Sequence, residues 1–224
     1  MAGTDAGSTV SLAMVTQGMV GTHRIFRREF PLMPDLIAAV DDGDTDRARV
    51  LAEHVRLLLD MVHVHHVAEE RYIWDLLPDR APADRGIVDT MLDQHGEIAE
   101  LSDRIRDTLA TWEQSPDADS AAPLLGAIEQ FTSTLVDHAQ LEEGAPLPII
   151  AEQLTPAEWG AFVGYASTAM PEEVRGTVMG MMLEDMPDAE RSAFLDSLPP
   201  PVAERIRSVG AAAYADYVAT IRAA

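Results

Sequence analysis

Apolar residues recur along this chain at steps of three and four, and no segment reads as a strand. Ser11 to Phe30 reads as a first helix that continues to about residue 40, with Pro31 and Pro34 kinking it. Asp41-Asp42-Gly43-Asp44 is a turn with N-cap residues. A long second helix is expected from Thr45 to about Leu77. Its apolar stripe comprises Leu51, Val55, Leu58, Val62, Tyr72 and Leu76, and Pro78 stops it. Pro82 and Asp84 open a third helix, expected over about 84–113. The polar segment from Ser115 to Ser120 reads as a loop. A fourth helix is expected over about 121–143, ending at Gly144-Ala145-Pro146.

Beyond this point the helices shorten. Thr155-Pro156-Ala157-Glu158 is a capping box with proline at the first helical position. Three or four helices should follow, punctuated by Pro171, Pro187 and Pro199-Pro200-Pro201. The expected fold is all-α: a flexible N-terminus over 1–10, an up-down-up-down four-helix bundle over 11–150, and a helical C-terminal extension over 151–224. The extension would cap the bundle, restrict solvent access or form an interface between copies, and these three uses stay open. Its methionines (Met170, Met179, Met181, Met182, Met186) read as adaptable core or a helix-docking surface.

Composition narrows the chemistry. The 224 residues carry 16 Lys+Arg against 38 Asp+Glu, a net charge of −22, which argues against nucleic acid and against anionic membranes as partners. Cysteine is absent, which removes disulfides, cysteine-ligated clusters and thiol catalysis. Lysine is absent too, which removes Schiff-base chemistry. A hydrophobic content of 47 % supports a packed core. No apolar run approaches the roughly 20 residues that span a bilayer, and the first residues resemble no secretion signal. A soluble, cytoplasmic protein is the expectation.

Two segments repeat each other. His65-His66-Val67-Ala68-Glu69-Glu70 and His138-Ala139-Gln140-Leu141-Glu142-Glu143 both read His-x-x-x-Glu-Glu, with an offset, 138 − 65, of 73. His23 and His95 stand alone on the first and third helices, with an offset, 95 − 23, of 72. A two-helix unit thus occurs twice, each copy placing one lone His and one His-x-x-x-Glu. Residues four apart share a helix face, so His65 and Glu69 reach one point on the apolar side. An uncompensated carboxylate there would cost several kcal/mol. Imidazoles and carboxylates gathered around cations avoid that cost, and this donor set suits iron, manganese or zinc.

The order His…His-x-x-x-Glu…His…His-x-x-x-Glu on four successive helices resembles the hemerythrin-like family, the HHE cation-binding domains, over about residues 11–150. The resemblance implies a four-helix bundle with a non-heme diiron site, bridged by two carboxylates and an oxo or hydroxo group. It implies His23, His65, Glu69, His95, His138 and Glu142 as metal ligands, with Glu69 and Glu142 bridging. The oxygen-carrying members have a further His four residues after the third-helix His, where this chain has Ala99. Their last carboxylate lies five residues after its His, which makes Glu143 an alternative to Glu142. The implied function is binding of, or reaction with, O2, hydrogen peroxide or nitric oxide. The alternatives are a diiron oxidase or oxygenase for an organic substrate, and an iron- or oxygen-sensing module. A redox partner is not identifiable from the sequence, and a homo-oligomer could form through the C-terminal helices.

Ferritin-like diiron bundles instead use Glu-x-x-His with a Glu from each remaining helix. The greater share of imidazole here points toward dioxygen, peroxide or nitric oxide chemistry over C–H hydroxylation. Three histidines fall outside the pattern. His54 reads as surface or packing, His63 as exposed or a hydrogen-bonding neighbour. His66 reads as a hydrogen-bonding neighbour, or as a replacement for His65 in partnership with Glu70. Tyr72, one turn after Glu69, is a core residue or a phenolate ligand. Trp74 and Trp112 read as packing.

Overall fold

The structure is a computed structural model that describes residues 9–197 and 200–223. The expected flexible N-terminus lies outside the described residues up to position 8, as does Pro199. Four long helices form an all-α bundle: α1 (Leu12–Glu29), α3 (Thr45–Glu69), α5 (Arg85–Gln114) and α6 (Ala118–Gly144). No strand occurs among the described residues. After α1, Pro31 falls in a 3-10 turn, Phe30–Leu32, and Pro34 opens the short α2 (Met33–Ala38). The Asp44 side chain caps α3 by accepting from the Arg47 N–H at 3.0 Å.

Two helix boundaries differ from the sequence pattern, each for a local reason. α6 begins at Ala118, three residues early, because Asp117 and Ser120 form a reciprocal capping box. The helix therefore absorbs the second half of the expected loop. α3 ends at Glu69, and a π-helical turn follows over Glu70–Trp74, with the Asp75 N–H bonded to the Glu70 carbonyl at 3.0 Å. That wider turn adds a residue relative to α-helical spacing and rotates what comes next. Ile73, Trp74 and Leu77 are buried as a result, whereas Tyr72 and Leu76, expected on the stripe, are only half-buried. Pro78 then lies within the short α4 (Leu77–Arg80) and does not stop the long helix.

The bundle interior divides along its length. One apolar cluster centres on Phe26, Phe30, Leu51, Leu58, Leu109, Trp112, Leu124 and Phe131. A second gathers Val15, Met19, Ala68, Trp74, Met91, Ile150 and Trp159 at the other end. The histidines and glutamates of the two repeated units lie on α1, α3, α5 and α6 and are buried.

The extension folds back onto the bundle. α7 (Pro146–Gln153) runs beside α1, and the capping box at Thr155 forms as expected to start α8 (Pro156–Ala169). Trp159 of α8 sits over Gly18 of α1, where a Cβ would come within 2.8 Å of the indole. α9 (Glu172–Glu184), α10 (Asp188–Ser197) and α11 (Pro200–Arg205) lead, through a second π-turn, to α12 (Ala211–Ile221). Met170, Met181 and Ile221 join the first apolar cluster, so the methionines serve as core. Arg47 donates to the carbonyls of Thr220, Ile221 and Ala223 and so caps α12.

Candidate metal centre

Two groups of buried donors meet inside the bundle. His23, His65, Glu69 and Glu142 form one, and His66, Glu69, His95 and His138 form the other. Within each group the donor atoms lie within 4.8 Å of one another. Glu69 belongs to both. All six residues expected from the repeated motif are brought together, and His66 joins them. Four helices contribute, and Glu69 and Glu142 are both 0 % exposed.

The close contacts point inward. His65 Nε2 lies 2.9 Å from Glu69 Oε1, and His95 Nε2 lies 3.3 Å from Glu69 Oε2. His23 Nε2 lies 3.2 Å from Glu142 Oε2 and 3.1 Å from His65 Nε2. Yet both oxygens of Glu69, both oxygens of Glu142 and the Nε2 atoms of His66, His95 and His138 lack a hydrogen bond of acceptable geometry. Buried polar atoms are rarely left this way, and so many orphans converging on one point is the signature of a cation site. Among the described residues no arginine enters the cluster, and Arg27 pairs with Glu143 outside it, at 2.6 Å. The donor set, neutral imidazole plus carboxylate, fits iron, manganese or zinc.

The outer nitrogens are held as well. His23 Nδ1–H donates to Glu143 at 2.9 Å, His95 Nδ1–H to Glu70 at 3.0 Å, and His138 Nδ1–H to Gln94 at 3.0 Å. These bonds decide the electrostatics of the chain's own groups. Burial works against charge on His23, but the adjacent Glu142 carboxylate and the bonded Glu143 prevail and raise its pKa to about 9. His95 is raised in the same way, with Glu69 and Glu70 outweighing burial. His66 and His138 have no bonded carboxylate. Burial keeps His66 well below its ordinary value and His138 at about 3. Burial and the facing Glu69 raise Glu142, whereas the imidazoles around Glu69 overcome burial and lower it.

The neighbouring residues fall into place. His66 stacks on His95 with ring centroids 4.0 Å apart and 11° between planes. Ala99 is exposed, so the third imidazole of that group comes from the second position of His65-His66 on α3, and not from α5. The equivalent of His66 in the second unit is Ala139, so the duplication breaks at this residue. His63 is exposed. Glu143 is absent from both donor groups and faces the outer side of His23. Tyr72 is absent from both as well and packs on Tyr165 at 5.6 Å. Trp74 and Trp112 are buried packing residues. His54 is buried far along α3, where its Nδ1 bonds the Tyr217 hydroxyl at 2.6 Å.

One face of the centre has a route outward. A groove of about 470 Å³ between α3 and α5 is lined by Leu59, Val62 and Leu92 and by the charged Glu70, Asp103 and Arg106, with His66 and His95 on its wall. Phe26 stands on the opposite side, its ring 5.8 Å from His65 and 6.5 Å from His23. Gln94, Glu70 and Glu143 were not legible as partners, although the second Glu of each repeated segment was the available signal.

Among known proteins, searches of curated proteins and of solved structures return no match. The profile of the hemerythrin HHE cation-binding domain matches residues 14–150, which include every residue of both donor groups. The buried four-helix cluster of imidazole and carboxylate and this match agree: the chain belongs to the hemerythrin HHE cation-binding domain family.

Proposed function

We propose that this protein is a hemerythrin-like non-heme diiron protein that binds or reacts with O2, hydrogen peroxide or nitric oxide. The observation that carries the proposal is the pair of four-donor groups sharing Glu69, with orphaned polar atoms facing the shared centre. His23 and His65 would hold one iron and His66, His95 and His138 the other, with Glu69 between them and Glu142 as the further carboxylate. When bound, the iron pair supplies redox equivalents and coordination positions for a small ligand. The chain's residues do the rest. Each group offers four side chains, fewer than an octahedral ion takes, so room is left for an external ligand. The groove leads to His66 and His95 between apolar Leu59, Val62 and Leu92 and polar Glu70, Asp103 and Arg106, and so gives a small ligand an approach from the α3–α5 side. Glu143, Glu70 and Gln94 occupy the outer imidazole nitrogens and leave the inner ones free to coordinate.

A sensing role draws on a different contact. α8 rests on the π-turn that begins with Glu70, through Tyr165 against Tyr72, so the extension touches the segment that buttresses His95.

Metal analysis of protein purified without added metal should find iron at two per chain. Anaerobic, reduced protein titrated separately with O2, peroxide and nitric oxide should change its near-ultraviolet and visible absorption. Folded protein that takes up no metal, or whose reduced form responds to none of the three, overturns the proposal. Insertion of oxygen into an organic substrate would favour the oxygenase alternative.

A further inference from the structure

We infer that Glu70 and Glu143, the final residue of each His-x-x-x-Glu-Glu segment, are positioning residues that aim the lone imidazoles of His95 and His23 at the metal centre. The inference rests on the diiron proposal. Successive residues on an α-helix are turned by about 100°. Glu69 and Glu142 therefore face the interior while Glu70 and Glu143 face the adjoining helix. Both second carboxylates reach the same atom of the same residue type: Glu70 accepts from His95 Nδ1–H at 3.0 Å, and Glu143 from His23 Nδ1–H at 2.9 Å.

The pairing crosses between the repeated units. Glu70 belongs to the first unit and holds the lone His of the second. Glu143 belongs to the second and holds the lone His of the first. Other surroundings differ: Glu143 also pairs with Arg27, whereas no arginine among the described residues pairs with Glu70. What the two positions share is the imidazole. Their side chains are 46 % and 24 % exposed, so neither is needed to fill the core.

An imidazole with Nδ1–H held outward has only Nε2 to offer inward. His23 Nε2 and His95 Nε2 do point at Glu142 and Glu69. Carboxylate acceptors on ligating histidines both fix the ring and increase its basicity. His138 supplies the internal contrast, because its Nδ1 partner is the neutral amide of Gln94. A carboxylate thus backs one imidazole in each donor group.

The test compares Glu70→Ala, Glu70→Gln, Glu143→Ala and Glu143→Gln with the unaltered chain. Iron retention is read by chelator competition and the reduction potential by spectroelectrochemistry. Each alanine variant should hold iron about 10–100-fold less tightly. Each glutamine variant keeps an acceptor, so it should recover most of the retention. It should nevertheless shift the potential upward, because an amide lends the ring no negative charge. In the zinc-loaded protein, the slowly exchanging Nδ1–H resonances of His95 and His23 should vanish in the matching alanine variant and persist in the glutamine variant. Iron retention, potential and resonances all unchanged from the parent would overturn the inference while leaving the centre intact. A parent chain that binds no metal would instead remove the centre, and the positioning role with it.

Discussion

The same bundle buries two clusters of carboxylate and imidazole, and they are completed in opposite ways. Near the start of α3, Glu29 is 2 % exposed and lies 3.5 Å from His54 Nε2. Arg28 donates to it at 2.7 Å and Arg222 at 2.9 Å. Arg222 also holds Glu184, and Tyr214 donates to the same carboxylate. That cluster carries its own cations and ties α9 and α12 to α1 and α3. The other cluster has two fully buried carboxylates, five imidazoles and, among the described residues, no arginine. A buried acid that has guanidinium partners is a structural joint. A buried acid without one is neutralised by a proton, by an imidazolium or by a bound cation.

Substitutions can separate the two. The largest effect belongs to Glu69→Ala, which removes the one side chain common to both donor groups. The metal content should fall to nearly none, while thermal unfolding of the metal-free protein shows the arginine cluster undisturbed. His66→Ala touches one group only and should leave the ion held by His23 and His65 in place.

Glu29→Ala reverses the outcome. It removes the acceptor of two charge-assisted hydrogen bonds while Arg28 and Arg222 keep Glu184, a loss of about 1.5–3 kcal/mol. Urea unfolding should show that loss with the metal content unchanged. Acid probes the same joint. Burial opposes ionisation of Glu29, yet His54 and the bonded Arg28 hold its pKa down at about 2. A carboxylate depressed in the folded state stabilises it above its ordinary value of 4.5, and that contribution is lost as pH falls toward 2. Stability of the metal-free protein measured across this window should decline, and the part of the decline due to Glu29 should be missing in Glu29→Gln.

The smallest effect comes from the outer wall of the joint. A Cβ on Gly180 would lie 2.3 Å from the Tyr214 ring. Gly180→Ala should displace that ring from its Glu184 contact and cost about 1–3 kcal/mol. Iron uptake should not change.

Much of this was legible in the residues. Three- and four-residue spacing located the four long helices, and the doubled His-x-x-x-Glu pointed to the six residues that meet inside. His66 was legible only as a replacement for His65 and not as a donor beside it, because its counterpart in the second unit is Ala139 and repetition argued against an extra histidine. The π-turn hid from periodicity, since Tyr72 and Leu76 continue the α-helical spacing that the backbone abandons. The arginine joint was equally hidden: Glu29, His54 and Arg222 are separated by long stretches of chain and carry no mutual spacing. Local caps such as Thr155–Glu158 were readable because their partners lie three residues apart.

The wide turn at 70–74 means that this stretch carries one residue more than a plain helix would use. Straightening it without losing a residue would swing Trp74 away from the interior and Leu76 toward it, whereas deleting one residue, such as Arg71, would let a plain helix run on with Ile73 and Leu77 still facing inward. Glu69, upstream of the excision, would keep its place. The extra residue therefore sets which side chains face inward beyond it, and the wide turn is what lets the chain carry it without turning Trp74 outward.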